Sequence, residues 1–420
     1  MRLKLSIFFL SFLIIAAFEA GAEETLTWQD CVRQAALNHP DLISAQESIK
    51  QEQADKKITA SALFPQIDSN LSGSTAKASG ATTDTYTYGL TGTQLLFDAG
   101  KTSNNVKAAE ENIKASEHDF KFTSSEVRLR LRTAFINLLK AQKLLDITQE
   151  IYNIRRGNLE LITLRYESGL EHKGALMNAQ ANLADAEFEV HQAKRGLQVS
   201  QRQLIKEMGR SKFTSLRVEE EFKVSDEALE KPDLEGLAAG NPSLAKFTSQ
   251  KNFALFSIKA ARAEFFPGLS AEAGANKRGS KWPPEDDRWN AGLVLSLPLF
   301  EGGLRRAQIE RAKAIYNQAE ADEQSAKDGI ILTLEQAWKA LQDALETVGV
   351  QNRFLEAAEE RSRIAEAQYS LGMIQFDNWI IIQDNLVGAK KAFLDARANA
   401  LLAEASWIQA KGETLEYAQK

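Results

Sequence analysis

The chain has 420 residues, 44% hydrophobic and 26% charged, with a formal net charge of −6 and a mean hydropathy of −0.32. This balance excludes a polytopic helical membrane protein and a disordered chain. The lack of a basic block argues against a nucleic-acid partner, because phosphate binding needs clustered Lys and Arg. The eight prolines leave 66–231 and everything after Pro298 proline-free, a distribution suited to very long helices.

The N-terminus reads as an export signal. Arg2 and Lys4 precede an apolar run from Leu5 to Phe18, and Ala20-Gly21-Ala22 offers a small-x-small cleavage site, so residues 1–22 are set apart from the fold. The run is short for a membrane-spanning helix, and no other stretch reaches the roughly 18 apolar residues one requires. Cys31 is the single cysteine, which excludes an internal disulfide. Trp28-Gln29-Asp30 before it are not the small apolar residues that precede a lipid-modified cysteine, so no lipid anchor is expected. Cys31 is read instead as a small buried residue on a helix.

Laid on itself at a shift of about 202 or 203 residues, the chain repeats. Pro40 meets Pro242, Phe64-Pro65 meets Phe266-Pro267, and Phe97-Asp98-Ala99-Gly100 meets Phe300-Glu301-Gly302-Gly303. Tyr166-Glu167-Ser168-Gly169 meets Tyr369-Ser370-Leu371-Gly372, Gln180-Ala181-Asn182-Leu183 meets Gln383-Asp384-Asn385-Leu386, and Gly209 meets Gly412. The expected organisation is a first repeat over 23–209, a charged linker over 210–233, a second repeat over 234–412 and a tail over 413–420. The period far exceeds the 20–50 residues of solenoids, so this is a duplicated domain.

Each repeat is expected to run helix, two strands, very long helix, helix. In the first, strands fall at about 66–78 and 84–97, the long helix at about 101–168 and the last helix at about 173–209. In the second, strands fall at about 268–279 and 287–300, the long helix at about 304–371 and the last at about 376–411. The long helices carry heptads on two seams: Val106, Ile113, Phe120, Val127, Ala134 and Leu131, Leu138, Leu145, Tyr152, Leu159, Tyr166 in the first repeat. The second repeat answers with Ile309, Tyr316, Glu323, Ile330, Ala337 and Leu334, Leu341, Val348, Leu355, Ser362, Tyr369. A strict period of seven implies a left-handed supercoil, and two seams let one helix pack on both sides, as a closed ring requires.

The strand segments alternate. Ile67, Ser69 and Leu71 interleave with Asp68, Asn70 and Ser72, and Tyr86, Tyr88 and Leu90 with Thr87, Gly89 and Thr91. Leu269 through Ala275 and Trp289 through Leu297 do the same in the second repeat. One apolar and one small or polar face over about ten residues suit strands of a transmembrane barrel. Tyr86, Tyr88, Trp282 and Trp289 are candidates for the membrane interface, with ordinary packing as the alternative for the tryptophans. Four strands cannot close a barrel in lipid, so spanning strands demand an oligomer: two copies give eight strands and three give twelve.

These motifs resemble TolC-type outer-membrane efflux proteins. Leu95-Leu96-Phe97-Asp98-Ala99-Gly100 and Leu297-Pro298-Leu299-Phe300-Glu301-Gly302-Gly303 look like that family's strand-to-helix junctions. Arg165-Tyr166-Glu167-Ser168-Gly169-Leu170 and Gln368-Tyr369-Ser370-Leu371-Gly372-Met373 are similar to its helix-hairpin tips. The resemblance implies a mainly α chain with a small β-barrel portion, a homotrimer with a twelve-stranded outer-membrane barrel and a helical periplasmic tunnel, and a channel function. It also implies tips that dock on a periplasmic adaptor engaged by an inner-membrane pump. Arg165, Tyr166, Gly169, Leu170, Tyr369, Gly372 and Met373 are the expected docking residues; the glycines serve as helix caps on either reading.

In the family, a tyrosine at the position of Tyr369 and carboxylates six residues after the tip glycine help hold the tunnel shut. Here Ala175 and Asn378 occupy those carboxylate positions, and Ile374 stands where an arginine lies in relatives. Asp377, Glu171 and Lys173 are the substitute candidates for a latch with Tyr369, against the alternative that they are solvated surface charges. The four histidines lack ligand spacing, and no phosphate loop or nucleophile elbow occurs, so no cofactor, metal or catalysis is expected. The competing function is a periplasmic coiled-coil adaptor or scaffold, which would not need two pairs of alternating strands.

Overall fold

The computed structural model describes residues 24–224 and 232–415; the expected export signal, part of the linker and the end of the tail lie outside the described residues. A short strand β1 (Glu24–Leu26) leads into α1 (Trp28–Asn38), whose start is closed by a reciprocal Thr27–Asp30 capping box. There follow α2 (Pro40–Ser61), strands β2 (Gln66–Ala78) and β3 (Ala81–Phe97), the long α3 (Lys101–Glu167) and α4 (Lys173–Glu207). The strand β4 (Leu216–Val218) precedes the second series: α5 (Leu234–Ala239), α6 (Pro242–Ala263), β5 (Gly268–Gly279), β6 (Asp286–Ser296), α7 (Leu304–Ser370) and α8 (Phe376–Ala410).

Two boundaries differ from expectation. β3 starts at Ala81 because the hairpin turns on Ser79 and Gly80, both in the left-handed region. β6 stops at Ser296 rather than near residue 300, since Pro298 has no N–H to give a ladder. The linker is also more than a charged spacer, because β4 lies in it and pairs in parallel with β1 at the start of the chain.

α3 and α7 each contain 67 residues, about 100 Å at 1.5 Å per residue. Both start after a left-handed glycine, Gly100 at φ 80° and Gly303 at φ 91°. At the first junction the Asp98 carboxylate accepts from the N–H groups of Gly100 (3.0 Å) and Thr102 (2.7 Å), so its charge sits against the positive end of the helix. The heptad residues are buried or half-buried except Tyr166. The odd member, Glu323, is answered on α6: it accepts from the Thr248 hydroxyl at 2.7 Å and pairs with Lys251.

Helices align in two tiers. On the strand side the order is α2, α3, α6, α7; on the far side it is α4, α3, α8, α7. Between the tiers, Val127, Leu131, Ala134, Phe135 and Leu138 of α3 meet Cys31 and Val32 of α1, Leu204 and Met208 of α4, and Leu216 and Val218 of β4. Cys31 is fully buried there, and burial pushes its thiol up to about 12. The second repeat builds its counterpart from Leu334, Leu341, Trp407 and Ala410.

Candidate functional site

The four long strands form one antiparallel sheet in the order β2-β3-β5-β6, leaving β2 and β6 as unpaired edges. Cross-strand partners share a face, and the register joins the separate alternations into rows. On one face run Leu71, Tyr88, Lys277 and Asp287; then Ser69, Leu90, Ala275 and Trp289; then Ile67, Gly92, Ala273 and Ala291; then Gln94, Ala271 and Leu293. The other face carries Asn70, Gly89, Asn276 and Arg288; then Asp68, Thr91, Gly274 and Asn290; then Gln66, Thr93, Glu272 and Gly292. The first face is mainly apolar, broken by Ser69 and Gln94, up to its Lys277–Asp287 ion pair of 3.2 Å. The second is polar or glycine through these rows, giving way to Leu95 and Val294 only in the row nearest the helices.

From the Leu269–Leu295 row to the Lys277–Asp287 row the strands rise about 26 Å at roughly 3.3 Å per residue. Tilted by ~40°, that run stands about 20 Å tall, most of the apolar band, about 25 Å tall, of an outer-membrane barrel. Below it Leu299 and Phe300 are 88% and 90% exposed. The Trp282 ring lies edge-on to Tyr86 and Tyr88, with centroids 6.2 and 5.9 Å away, so the loop between β5 and β6 folds down the apolar face. Trp289 stands free on the same face, at 82% exposure.

At the opposite end of the molecule the helices turn in pairs. Gly169 at φ 71° and Gly372 at φ 72° end α3 and α7 in the same way. Leu170 N–H donates to the Arg165 carbonyl and Met373 N–H to the Gln368 carbonyl, each at 2.8 Å, while each glycine N–H donates to the tyrosine carbonyl three residues back. These are the two bonds of a Schellman motif. A Cβ at either glycine would meet nothing, so the backbone angle alone demands glycine. Leu170 and Met373 project from the turns, each 68% exposed.

Between the two turns Tyr369 is buried. Its ring stacks on Trp379 at 4.4 Å with 4° between planes, meets Phe376 edge-on, and carries the Arg165 guanidinium 4.8 Å from its centroid. Its hydroxyl donates to Glu171 at 2.9 Å. Burial first, and then the bond to the Glu171 carboxylate, raise the phenol above its usual 10.0. Of the latch candidates, the fold thus brings Glu171 and Tyr369 together, with Arg165 beside them. Asp377 and Lys173 are exposed and make no hydrogen bond or ion pair among the described residues, which is how solvated charges behave.

Ala175 is 1% exposed in an apolar tip cluster with Ile162, Ala365, Tyr369 and Trp379. A carboxylate there would be buried without a partner, a cost of several kcal/mol. Sequence reasoning did not reach Phe376 and Trp379, the walls of the Tyr369 pocket, although an aromatic pair three apart just after a tip turn was the available signal. It also passed over Arg155–Asp384, which with Lys390–Glu150 (2.6 Å) and Lys140–Asp395 (2.7 Å) ties α8 to α3. Lys391–Glu189 (2.5 Å) ties α8 to α4. Among the described residues no helix is long and apolar enough to cross a membrane.

The profile of the outer membrane efflux protein family matches twice, over residues 31–210 and 234–413. The chain belongs to the outer membrane efflux protein family. It is 25% identical over 320 residues to fusaric acid resistance protein FusA of Burkholderia cepacia, covering 69% of this chain and 57% of that one. It is 24% identical over 394 residues to the outer membrane protein TolC of Escherichia coli, covering 88% and 79%. The fold matches the open-state MtrE outer membrane channel of Neisseria gonorrhoeae with a TM-score of 0.80 at 18% identity, over 93% of this chain and 90% of that one.

The family is one of channels, and this outer membrane efflux protein resides in the outer membrane with its helices extending into the periplasm. The adaptor or scaffold alternative finds no support. The two profile matches fall on the two copies read from the internal repetition.

Proposed function

We propose that three copies of this efflux protein close into one exit duct, passively conducting cargo delivered by a periplasmic adaptor and an inner-membrane pump. The observation that carries this reading is the sheet with one apolar face and two unpaired edges. In lipid each unpaired edge group costs several kcal/mol, so β2 of one copy must pair with β6 of the next. Such a head-to-tail contact closes into a ring. Two copies would give eight strands, whose interior side chains fill; twelve strands leave a bore, which a duct needs.

The helices point the same way. In each tier α7 has a neighbour on one side only, as does α2 on the strand side and α4 on the far side. Ile315, Leu332, Val350 and Phe354 of α7 and Ile43 and Ile58 of α2 stay exposed within a single copy. At the tips the docking residues are Arg165, Tyr166, Gly169, Leu170, Tyr369, Gly372 and Met373: the glycines shape the turns, Tyr369 and Arg165 stiffen them, and Leu170 and Met373 present apolar knobs to the adaptor. Tyr369 with Glu171 forms the resting tether of the gate. Tyr86, Tyr88, Trp282 and Trp289 lie in the outer membrane interface.

The test is fractionation and conductance. Recovery in the outer membrane as a heat-modifiable trimer that forms channels in planar bilayers is expected. A soluble monomer released by osmotic shock would overturn the reading.

A further inference from the structure

We infer that Arg278 and Arg288 set the charge preference of the duct's exit, above an opposing belt made by Asp68 and Glu272. The inference rests on the closed twelve-stranded barrel proposed above, in which the apolar face meets lipid and the polar face lines the bore.

The register separates adjacent charges onto opposite faces. Lys277 and Asp287 pair with each other on the apolar face at 3.2 Å. Their neighbours Arg278 and Arg288 are therefore turned to the other side. The identity of that side follows from contacts. A Cβ built on Gly274 would come within 2.7 Å of Asn290 Oδ1 and 3.4 Å of a Thr91 methyl, so these three positions share one face. Thr91, in turn, is the cross-strand partner of Asp68.

Down the polar face the charges fall into two belts: the upper holds Arg278, Arg288 and Asp286 and nets one positive charge per copy, and the lower holds Asp68 and Glu272. Arg288 lies in a row whose other members, Asn70, Gly89 and Asn276, are uncharged. Arg278 lies one row nearer the hairpin loops, opposite Asp286, with which it forms no ion pair. Asp68 and Glu272 lie in the two rows nearer the helices. Among the described residues, none of Asp68, Glu272, Arg278 and Arg288 has a hydrogen-bond or ion-pair partner on its side chain. Unpaired charges act on what passes instead of on each other.

Geometry makes them effective. Twelve strands spaced about 4.8 Å and tilted ~40° enclose a backbone circle about 24 Å across. Arginine side chains reaching ~6 Å inward leave a clear radius of about 6 Å, inside the Debye length of about 8 Å at physiological ionic strength. The Arg288 and Glu272 rows are four residues apart on β5, about 13 Å, beyond that length. Cargo therefore meets an acidic belt first and a basic belt next, and the arginines favour anions at the exit.

Full-length protein in planar bilayers under a tenfold KCl gradient tests this by reversal potential. The Arg278→Gln/Arg288→Gln double variant should raise the cation-to-anion permeability ratio at least about twofold, and Asp68→Asn/Glu272→Gln should lower it. Lys277→Gln and Asp287→Asn, one residue away but on the lipid face, should leave it unchanged. An unaltered ratio in channel-forming Arg278→Gln/Arg288→Gln trimers overturns the inference while leaving the duct intact, and so does an equal shift from the Lys277 and Asp287 variants. Failure of the unmodified protein to form any channel overturns the barrel reading beneath it.

Discussion

The Tyr369 hydroxyl donates to the Glu171 carboxylate at 2.9 Å, tying the end of α7 to the turn after α3, 198 positions away in sequence. The bond joins the tips of the two repeats within one copy, and the Glu171 side chain is only 11% exposed, so its partner is not readily replaced by water.

Tyr369→Phe should therefore loosen the tips by about 1.5–3 kcal/mol, the range for a hydrogen bond to a charged group. The closed-state conductance of single channels should rise, with the aromatic stack retained. Equal conductance in the variant and the parent would remove this bond from the gate. Because the phenol's pKa is raised, the tether's contribution is complete below the ordinary 10.0 and is lost only as pH climbs through the higher folded value. Conductance should accordingly be flat across neutral pH and rise in strong alkali.

Glu323 predicts an acid limit. Burial acts to raise its pKa, but hydrogen bonds from Lys251 and Thr248 outweigh it and hold the carboxyl below its ordinary 4.5. A depressed pKa contributes stability that is present above that value and lost as pH falls through the folded one. Glu323→Ala should cost about 1–3 kcal/mol at neutral pH, and the difference from the parent should narrow as pH falls below the ordinary 4.5. Melting of the two proteins followed from pH 7 to about 3 should converge if Glu323 acts this way.

Gly372→Ala isolates the tip turn. With open space around the site, only the left-handed backbone angle resists the substitution, at about 1–2 kcal/mol. Hydrogen exchange should accelerate in the last turn of α7, with protection in the Val127–Leu138 core unchanged.

Leu293→Arg tests which face meets lipid. At 69% exposure in one copy this leucine would tolerate replacement within about 0.5 kcal/mol if water surrounded it. In the bilayer the same change costs about 2–4 kcal/mol near the midplane. Urea titration of the lipid-reconstituted protein should show the larger loss, and Asn290→Arg on the polar face should show little.

Much of the architecture was legible because its determinants are local. A heptad needs only spacing, which is why Leu131, Leu138, Leu334 and Leu341 announced their burial. The strand-to-helix junction was placed by the recurrence of Phe97-Asp98-Ala99-Gly100 at Phe300-Glu301-Gly302-Gly303, and so short a motif suffices because the Asp98 cap and the left-handed turn involve residues two to four apart. Glu323 broke the pattern without explanation, because its answer lies on α6, and the pairing of β1 with β4 was invisible because three residues make too short a signal.

The sequence by itself determined the duplication, the two long helices of each series and the alternation of each strand, all properties of spacing along one chain. Only the tertiary structure decided which residues work together. It put Glu171 rather than Asp377 or Lys173 against Tyr369, filled the position of Ala175 with apolar neighbours, and aligned four separate alternations into one apolar and one polar face. The physical reason is distance in sequence: the β3–β5 register that joins the two hairpins and the Tyr369–Glu171 tie are set by contacts between segments about 200 residues apart, where side-chain volume and buried charge select one partner among many.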